Sequence, residues 1–494
     1  MPHANRQAKA RDVIMKYEIA PLAAVAVTSR VNGCKAETTG RGTGAVTTAE
    51  DRSAGAPFDA GALFWRTIAA MTSADLSRPP ESTAAAARQP ASARWRVLAI
   101  FSLGFLVSYI YRGVNLGFAP HLTRELGLGA ADLGLLTSFY FLGFAAAQLP
   151  AGLLLDRFGP RRTEAALLLV AVAGSLVFAL APGMAGLAVG RMLIGIGVSV
   201  CLGAAIQALS MWFPLSRMPL LNGVVMAIGG LGAVVVGAPL AWLLSLAGWR
   251  TLSFAMGGIT LAMAVLLWFA APEARRPGKE SLAEQLRGTA QILRSGFFWR
   301  VVPLTLLNQG IFLAVQTLWV GAFMRDVPGL APDAGARLVS VIGFAMMAGC
   351  VGAGWAARHL ERIGVSLYAF AGLGMTMFAV VQGLLMAPLP FLQGPAQGAL
   401  WAAFGVFGSS GILAYAVLAR NVPDHLIGRA TTALTLTVFL STFVCQVGVG
   451  YVLDFWPAVD GRYPRAAHMT VWGIFVALQL LAALWYALGA RRRG

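Results

Sequence analysis

The chain has 494 residues, of which 57% are apolar and 12% charged, where soluble proteins carry roughly a quarter charged. That composition excludes soluble enzymes and fibrous proteins, and it moves the net charge of +17 from a nucleic-acid footprint to a question of membrane topology. Charge is also unevenly placed: residues 1–96 hold 13 of the 38 Lys and Arg and 8 of the 21 Asp and Glu.

The first 94 residues are rich in Ala, Thr, Ser, Gly and Arg, show no sustained period, and close on Arg78-Pro79-Pro80 and an alanine run. They read as a disordered tail. The apolar stretch from Ile19 to Val27 behind Lys16 is short for a signal peptide and contains Pro21. Met71, whose short polar leader runs into the first hydrophobic segment, is the more economical translation start.

From Trp95 onward the chain becomes a series of apolar stretches about 20 residues long, each enough to cross a hydrocarbon core. Twelve are expected, at about 97–118, 133–155, 163–181, 186–211, 219–246, 250–271, 299–323, 337–358, 365–387, 396–419, 430–453 and 469–490. No water satisfies backbone groups in lipid and the alternation of a barrel is absent, so the fold class is an all-α membrane protein. A longer charged loop divides the spans six and six. The expected organisation is a bundle at 95–272, a cytoplasmic linker at 273–298, a second bundle at 299–490 and a basic tail at 491–494. Leu282, Leu286 and Leu293 recur at helical spacing in the linker, which reads as a surface-lying amphipathic helix or as a plain solvated connection.

With the N-terminus inside, cytoplasmic loops and the C-terminal tail hold 17 of the Lys and Arg beyond residue 96, and outer loops hold 6. This is the positive-inside pattern, with both termini cytoplasmic and the chain in the cytoplasmic (inner) membrane. Cys34, Cys201, Cys350 and Cys445 form no C-x-x-C pair and read as small inert side chains. His3, His121, His359, His425 and His468 lie in the tail or near helix ends, which predicts no buried proton relay. No metal site and no cofactor is expected.

A weak repeat relates the two halves. Gly152-x-x-x-Asp156 after span two returns as Gly354-x-x-x-Arg358 after span eight, and Pro214 before Asn222 returns as Pro423 before Thr431. Two like-oriented halves are one way to build a transporter with a central site.

The strongest motif is Gly152-Leu153-Leu154-Leu155-Asp156-Arg157-Phe158-Gly159-Pro160-Arg161-Arg162, at the cytoplasmic end of span two. Gly152 permits close helix approach, Asp156 suits a helix N-terminus or an arginine, and the arginines hold the loop at an anionic surface. The motif resembles the signature loop of the major facilitator superfamily, with Pro160 placing the basic pair one position late. Arg191-Met192-Leu193-Ile194-Gly195-Ile196-Gly197 in span four is similar to a second element of that superfamily, and Gly232 to Gly237 with Ala238-Pro239 partly matches a third. Tyr109 to Asn115 in span one is similar to the organic anion (anion:cation symporter-like) branch, but Tyr111 stands where that branch often has an acid, and Val198 stands at a second such place. The resemblance covers 95–490. It implies two six-helix bundles that rock about a central path, with the loop of Gly152, Asp156, Arg157, Gly159, Arg161 and Arg162 acting as a gate whose Asp156 meets the start of span eleven near Arg429.

Within the spans, Arg112 and Arg191 stand out as the residues charged at neutral pH. Each lies within about six residues of its span's outer end, so equal depth would let them converge on one anion. Two readings stay open: an anion clamp shaped by Tyr109, Tyr111 and Asn115, or snorkelling and bonds to backbone carbonyls. The second half offers neutral groups, among them Gln309 and Gln316 on one helix face, and Tyr415. Interhelical bonding is their default role and substrate contact the second. The expected function is secondary transport of a small organic anion. Efflux of hydrophobic compounds is the alternative, and a transporter-derived sensor the distant one. The expected partners are a small-molecule substrate, a coupling ion still open, the lipid bilayer and no nucleic acid, for a monomeric protein. Converging acids, histidines or metal ligands that an intramembrane enzyme would need are not evident.

Overall fold

In the computed structural model the described residues are 91–214, 217–272, 282–387, 395–423, 426–459 and 461–490. The tail up to residue 90, the charged part of the linker at 273–281 and the terminus 491–494 lie outside them. Among the described residues, eleven helices are long and apolar enough to cross a bilayer, and the bent pair Leu220–Val235 and Ala238–Leu246, meeting at 46°, makes a twelfth crossing. In chain order the others are Ser92–Leu126, Ala130–Phe158, Pro160–Leu180, Met184–Trp212, Trp249–Ala270, Phe298–Asp326, Pro332–Arg362, Leu367–Met386, Ala396–Ala419, Ile427–Leu453 and Arg465–Gly489. The bent pair is span five.

Spans one to six pack among themselves, as do spans seven to twelve, giving two six-helix bundles. The bundles meet along spans two and eleven and along spans five and eight. Side chains such as Phe269, Leu246 and Leu481 project from the helices without protein cover, as lipid-facing positions must. Glycine allows the closest approaches. A Cβ at Gly195 would fall 2.1 Å from the Tyr140 carbonyl oxygen, so spans two and four could not pack as they do with any larger residue there.

Several spans are irregular near mid-depth. Span one breaks between Ala91–Gly113 and Asn115–Leu126, span four between Met184–Val198 and Cys201–Trp212, span seven carries a π-turn at Val315–Trp319, and span ten a 3₁₀ turn at Ser409–Ile412. A break in lipid strands backbone groups, so a neighbour must satisfy them. Ser108 Oγ donates to the Val198 carbonyl at 3.1 Å, Arg191 Nη1 to the Tyr111 carbonyl at 3.0 Å, and the Gly411 amide to Asn308 Oδ1 at 3.1 Å. Span five is bridged in the same way: the Ala238 amide donates to Ser340 Oγ at 3.0 Å, which donates to the Val234 carbonyl at 3.2 Å.

The linker contains a helix, Leu282–Leu293, packed against the start of span eleven. Of the leucines expected on its inner face, Leu293 packs against the core and Leu286 is exposed. Gly288, Thr289 and Ile292 face inward, with Gly288 against the Arg429 side chain. A small residue opposite a bulky arginine lets the helix approach.

Candidate functional site

The first span carries Arg112 on the last turn before its break, and the side chain is 8% exposed. Its guanidinium carbon lies 4.5 Å from the Tyr109 ring centroid, 5.6 Å from Phe144 and 5.3 Å from Phe439. Tyr109 and Phe144 belong to the first half and Phe439 to span eleven of the second. Phe144 and Phe439 stack at 4.1 Å, so the cage closes across the seam between bundles. Ring faces attract a cation but supply no counter-charge. Arg112 Nε has no hydrogen-bond partner, and no carboxylate pairs with the group among the described ion pairs.

Around this cation, Tyr109 Oη donates to Met346 Sδ at 3.3 Å and Gln316 Nε2 reaches the same sulfur at 3.6 Å. One polar residue from span one and one from the π-turn of span seven therefore meet on span eight. Gln316 Oε1 is left unpartnered. Tyr415, hydrogen-bonded to Thr435 at 3.2 Å, is within electrostatic reach of Arg112.

This architecture agrees with the sequence comparison. The family model described as Major Facilitator Superfamily matches residues 101–446. The chain belongs to the Major Facilitator Superfamily. It is 24% identical over 280 residues to a probable sulfoacetate transporter of Cupriavidus necator, a match taking in 54% of this chain and 64% of that protein, so it spans less than two thirds of that relative's length. It is 25% identical over 316 residues to the hexuronate transporter of Escherichia coli, covering 58% of this chain and 71% of the relative. Among solved structures it is similar to the D-xylose-proton symporter, with a TM-score of 0.63 at 17% identity over 80% of this chain and 97% of that one. The family and these relatives are transporters, not enzymes.

Within the superfamily fold, the residues singled out by sequence separate into groups. Tyr109, Arg112, Gln316 and Tyr415 come together at the seam. Tyr111 is 2% exposed and bonds Thr260 Oγ1 of span six at 3.0 Å, so it turns into its own bundle. Asn115 donates to Thr137 of span two at 3.0 Å, and Gln309 lies against Gly411 of span ten. Arg191 is 1% exposed, holds the Tyr111 carbonyl, and lies 4.9 Å from the Tyr140 ring. Counted from the helix ends, the two arginines are not equally placed. Span one continues to Leu126, which puts Arg112 14 residues from its outer end, against 7 from Met184 for Arg191. The two are nonetheless neighbours, because Arg191 grips the residue next to Arg112, and Tyr140 lies within electrostatic reach of both.

The signature loop follows from its turn. Gly159 has φ of 79°, a left-handed conformation that favours glycine, and Pro160 opens span three at its first position, where a missing N–H costs nothing. Asp156 accepts from Gln207 Nε2 of span four at 3.3 Å, Arg161 Nη1 donates to the Ala271 carbonyl at the end of span six at 3.1 Å, and Arg157 lies exposed over the Phe158 ring. Gly152 is half-buried and Arg162 likewise.

At the opposite end of the bundles from the signature loop, a second acid closes the seam. Asp454, after span eleven, accepts from the Ala131 amide at 2.9 Å, in the first turn of span two. The Tyr463 hydroxyl donates to Asp454 at 2.7 Å and accepts from the Ala130 amide at 3.2 Å. An anion at a helix N-terminus is favoured by the free amides and the dipole. Burial, with Asp454 beside it, pushes the Tyr463 hydroxyl up to about 12, so it keeps its proton and remains a donor. The Tyr463 amide in turn donates to Asp326, whose carboxylate also meets Arg325 and His468 Nε2 at 3.0 Å. The sequence placed His468 near a helix end, which it is, and there it is only 3% exposed and paired with the Asp326 carboxylate.

The count of charged groups inside the spans needs a correction. Glu164, on the second turn of span three, is 0% exposed. Linear position suggests an interfacial residue. Packing of spans one and four over that turn makes it a core residue. Phe144, Phe439, Tyr140 and Met346 also escape a sequence reading, because apolar and aromatic residues in an apolar span carry no contrast.

Proposed function

We propose that this protein carries small organic anions across the cytoplasmic membrane by alternating access, with Arg112 holding the anionic group. The observation that carries this reading is a buried guanidinium, caged by rings from both halves and left without a carboxylate partner. A permanent cation removed from water favours any anion that can reach it, and arginine offers two parallel N–H donors to a carboxylate or sulfonate. The names of the relatives, sulfoacetate and hexuronate transporters, support an anionic cargo. Tyr109, Gln316 and Tyr415 would contact the remainder of the solute, while Arg191 holds the break in span one and adds positive potential. Tyr111, Asn115 and Gln309 act through packing. The moving units are the bundles at 95–272 and 299–490 joined by the linker 273–298, in a monomer with both termini cytoplasmic. The loop from Gly152 to Arg162 serves as the inner gate.

The test is counterflow in proteoliposomes, with glucuronate and sulfoacetate as separate probes. The wild-type protein is expected to exchange at least one of them, and Arg112→Ala and Arg112→Lys to lose that exchange. Exchange by both variants at the wild-type level would overturn the assignment. The same aromatic cage suits an uncharged hydrophobic cargo, the efflux reading, which would be favoured if a hydrophobic compound moved and both anions failed even to compete.

A further inference from the structure

Glu164 is unexplained by anion binding at Arg112. Its carboxyl group is fully excluded from water, and apart from the weak Cys201 thiol neither oxygen has a hydrogen-bond partner. It is seated against span one at Gly104, where an added Cβ would fall 2.1 Å from Oε1, so the carboxyl group occupies the space a side chain at 104 would take. On span four the facing titratable group is the fully buried Cys201 thiol, at the break of that helix. The charged groups of the surrounding elements are engaged elsewhere or remote. Arg161, one turn earlier on the same helix, bonds the Ala271 carbonyl. Arg162 is half-exposed, and Arg94 and Arg96 stand at the cytoplasmic start of span one. Asp156 of span two meets Gln207, Arg157 is exposed, and span six carries only Arg250 at its outer end, where it pairs with Glu125. Arg112 on the central side lies within electrostatic reach of Cys201.

We propose that Glu164 is a proton-binding site of the carrier, occupied in the arrangement described here and emptied when the first bundle loosens at the break of span four, beside Cys201. An ionised carboxylate with no cation, no water and only a thiol as donor is costly in a protein interior, whereas the protonated acid is neutral. The proton comes from water and returns to water, and no bond other than O–H forms or breaks. The link to transport is electrostatic and rests on the anion reading given above. Arg112 and Arg191 are permanent buried cations and Glu164 is the buried group that can offset them. Protonating it raises the net positive charge of the core and tightens anion binding at Arg112, and by linkage a bound anion tightens proton binding. Proton and anion therefore travel together.

Two measurements test this. Infrared spectra of the purified wild-type protein at pH 7.5 should contain the carbonyl stretch of a protonated carboxylic acid that Glu164→Gln lacks. Identical spectra in that region would overturn the site. In proteoliposomes, a gradient of one pH unit should drive about tenfold accumulation of glucuronate at one proton per monoanion, and Glu164→Gln should retain glucuronate exchange while accumulating none beyond equilibrium. Gradient-driven accumulation by that variant equal to wild type would overturn the coupling. If Glu164→Gln does not fold, Glu164→Met, which keeps the volume and removes the buried polar group, replaces it in both. If wild-type protein exchanges neither glucuronate nor sulfoacetate, the anion reading fails and the coupling role with it, while the infrared comparison still decides the proton site.

Discussion

The two halves share a fold and divide the work. The first half buries two arginines and a glutamate within its spans, Arg112, Arg191 and Glu164, and no ion pair joins them. The second half places its buried acid and histidine, Asp326 and His468, at the outer margin, bonded to one another and to Arg325 and Tyr463. Toward the centre it offers neutral Gln316, Met346, Tyr415 and the Phe439 ring. Unpaired charge is costly in a spanning segment, and paired charge at a helix end is cheap. The difference teaches that, on the proposed function, the first half holds the groups that respond to cargo, while the second supplies a neutral wall and a paired closure at one end.

The largest effect that would break this division lies at Arg112. Truncation to alanine removes a bidentate charge-assisted pair worth about 3 kcal/mol, roughly 100-fold in affinity, and binding to the reconstituted protein measures it. A fall of the same size from Tyr415→Phe would show that the halves share the load. Next, Arg191→Ala should lower thermal stability more than affinity, because it leaves the Tyr111 carbonyl unpaired at a break, a loss of about 1–3 kcal/mol. A melting curve equal to wild type with weakened binding would make Arg191 a ligand instead.

Smaller effects sharpen the role of the second half. Asp454→Asn weakens an exposed contact to a helix N-terminus by about 1 kcal/mol, which should raise the outward-open population roughly fivefold. Spin labels across the outer ends of spans two and eleven report that distance distribution. Gln316→Ala should raise KM for an exchanged anion by about threefold, as expected for one neutral hydrogen bond, with the exchange rate at saturation preserved. An unchanged KM would leave Gln316 as packing on Met346.

Legibility followed contrast. Twelve crossings stood out because runs of about 20 apolar residues in a charged-poor chain have one physical solution, a lipid-spanning helix. The bent fifth crossing was legible as one apolar stretch, while its 46° bend was not. Arg112 and Arg191 were visible as charges in apolar surroundings. Glu164 sits four residues into its helix, where an acid beside two arginines looks interfacial, and only the packing of Gly104 and Cys201 buries it. Asp454 and Tyr463 looked like ordinary loop residues, because a contact to the amides of Ala130 and Ala131 joins positions more than 300 apart.

The sequence by itself determined that this chain crosses a membrane many times, which superfamily it belongs to, and that its spans contain permanent positive charge. Those properties depend on composition, period and a local motif, all written along one chain direction. Tertiary structure alone decided which arginine faces the seam between the bundles and which is tied to a backbone carbonyl. It also decided that the cation's cage is built from rings of both halves, and that a glutamate lies in the core. Each of these turns on which groups reach a buried atom first, and burial and partnership are set by helices brought together from distant parts of the chain.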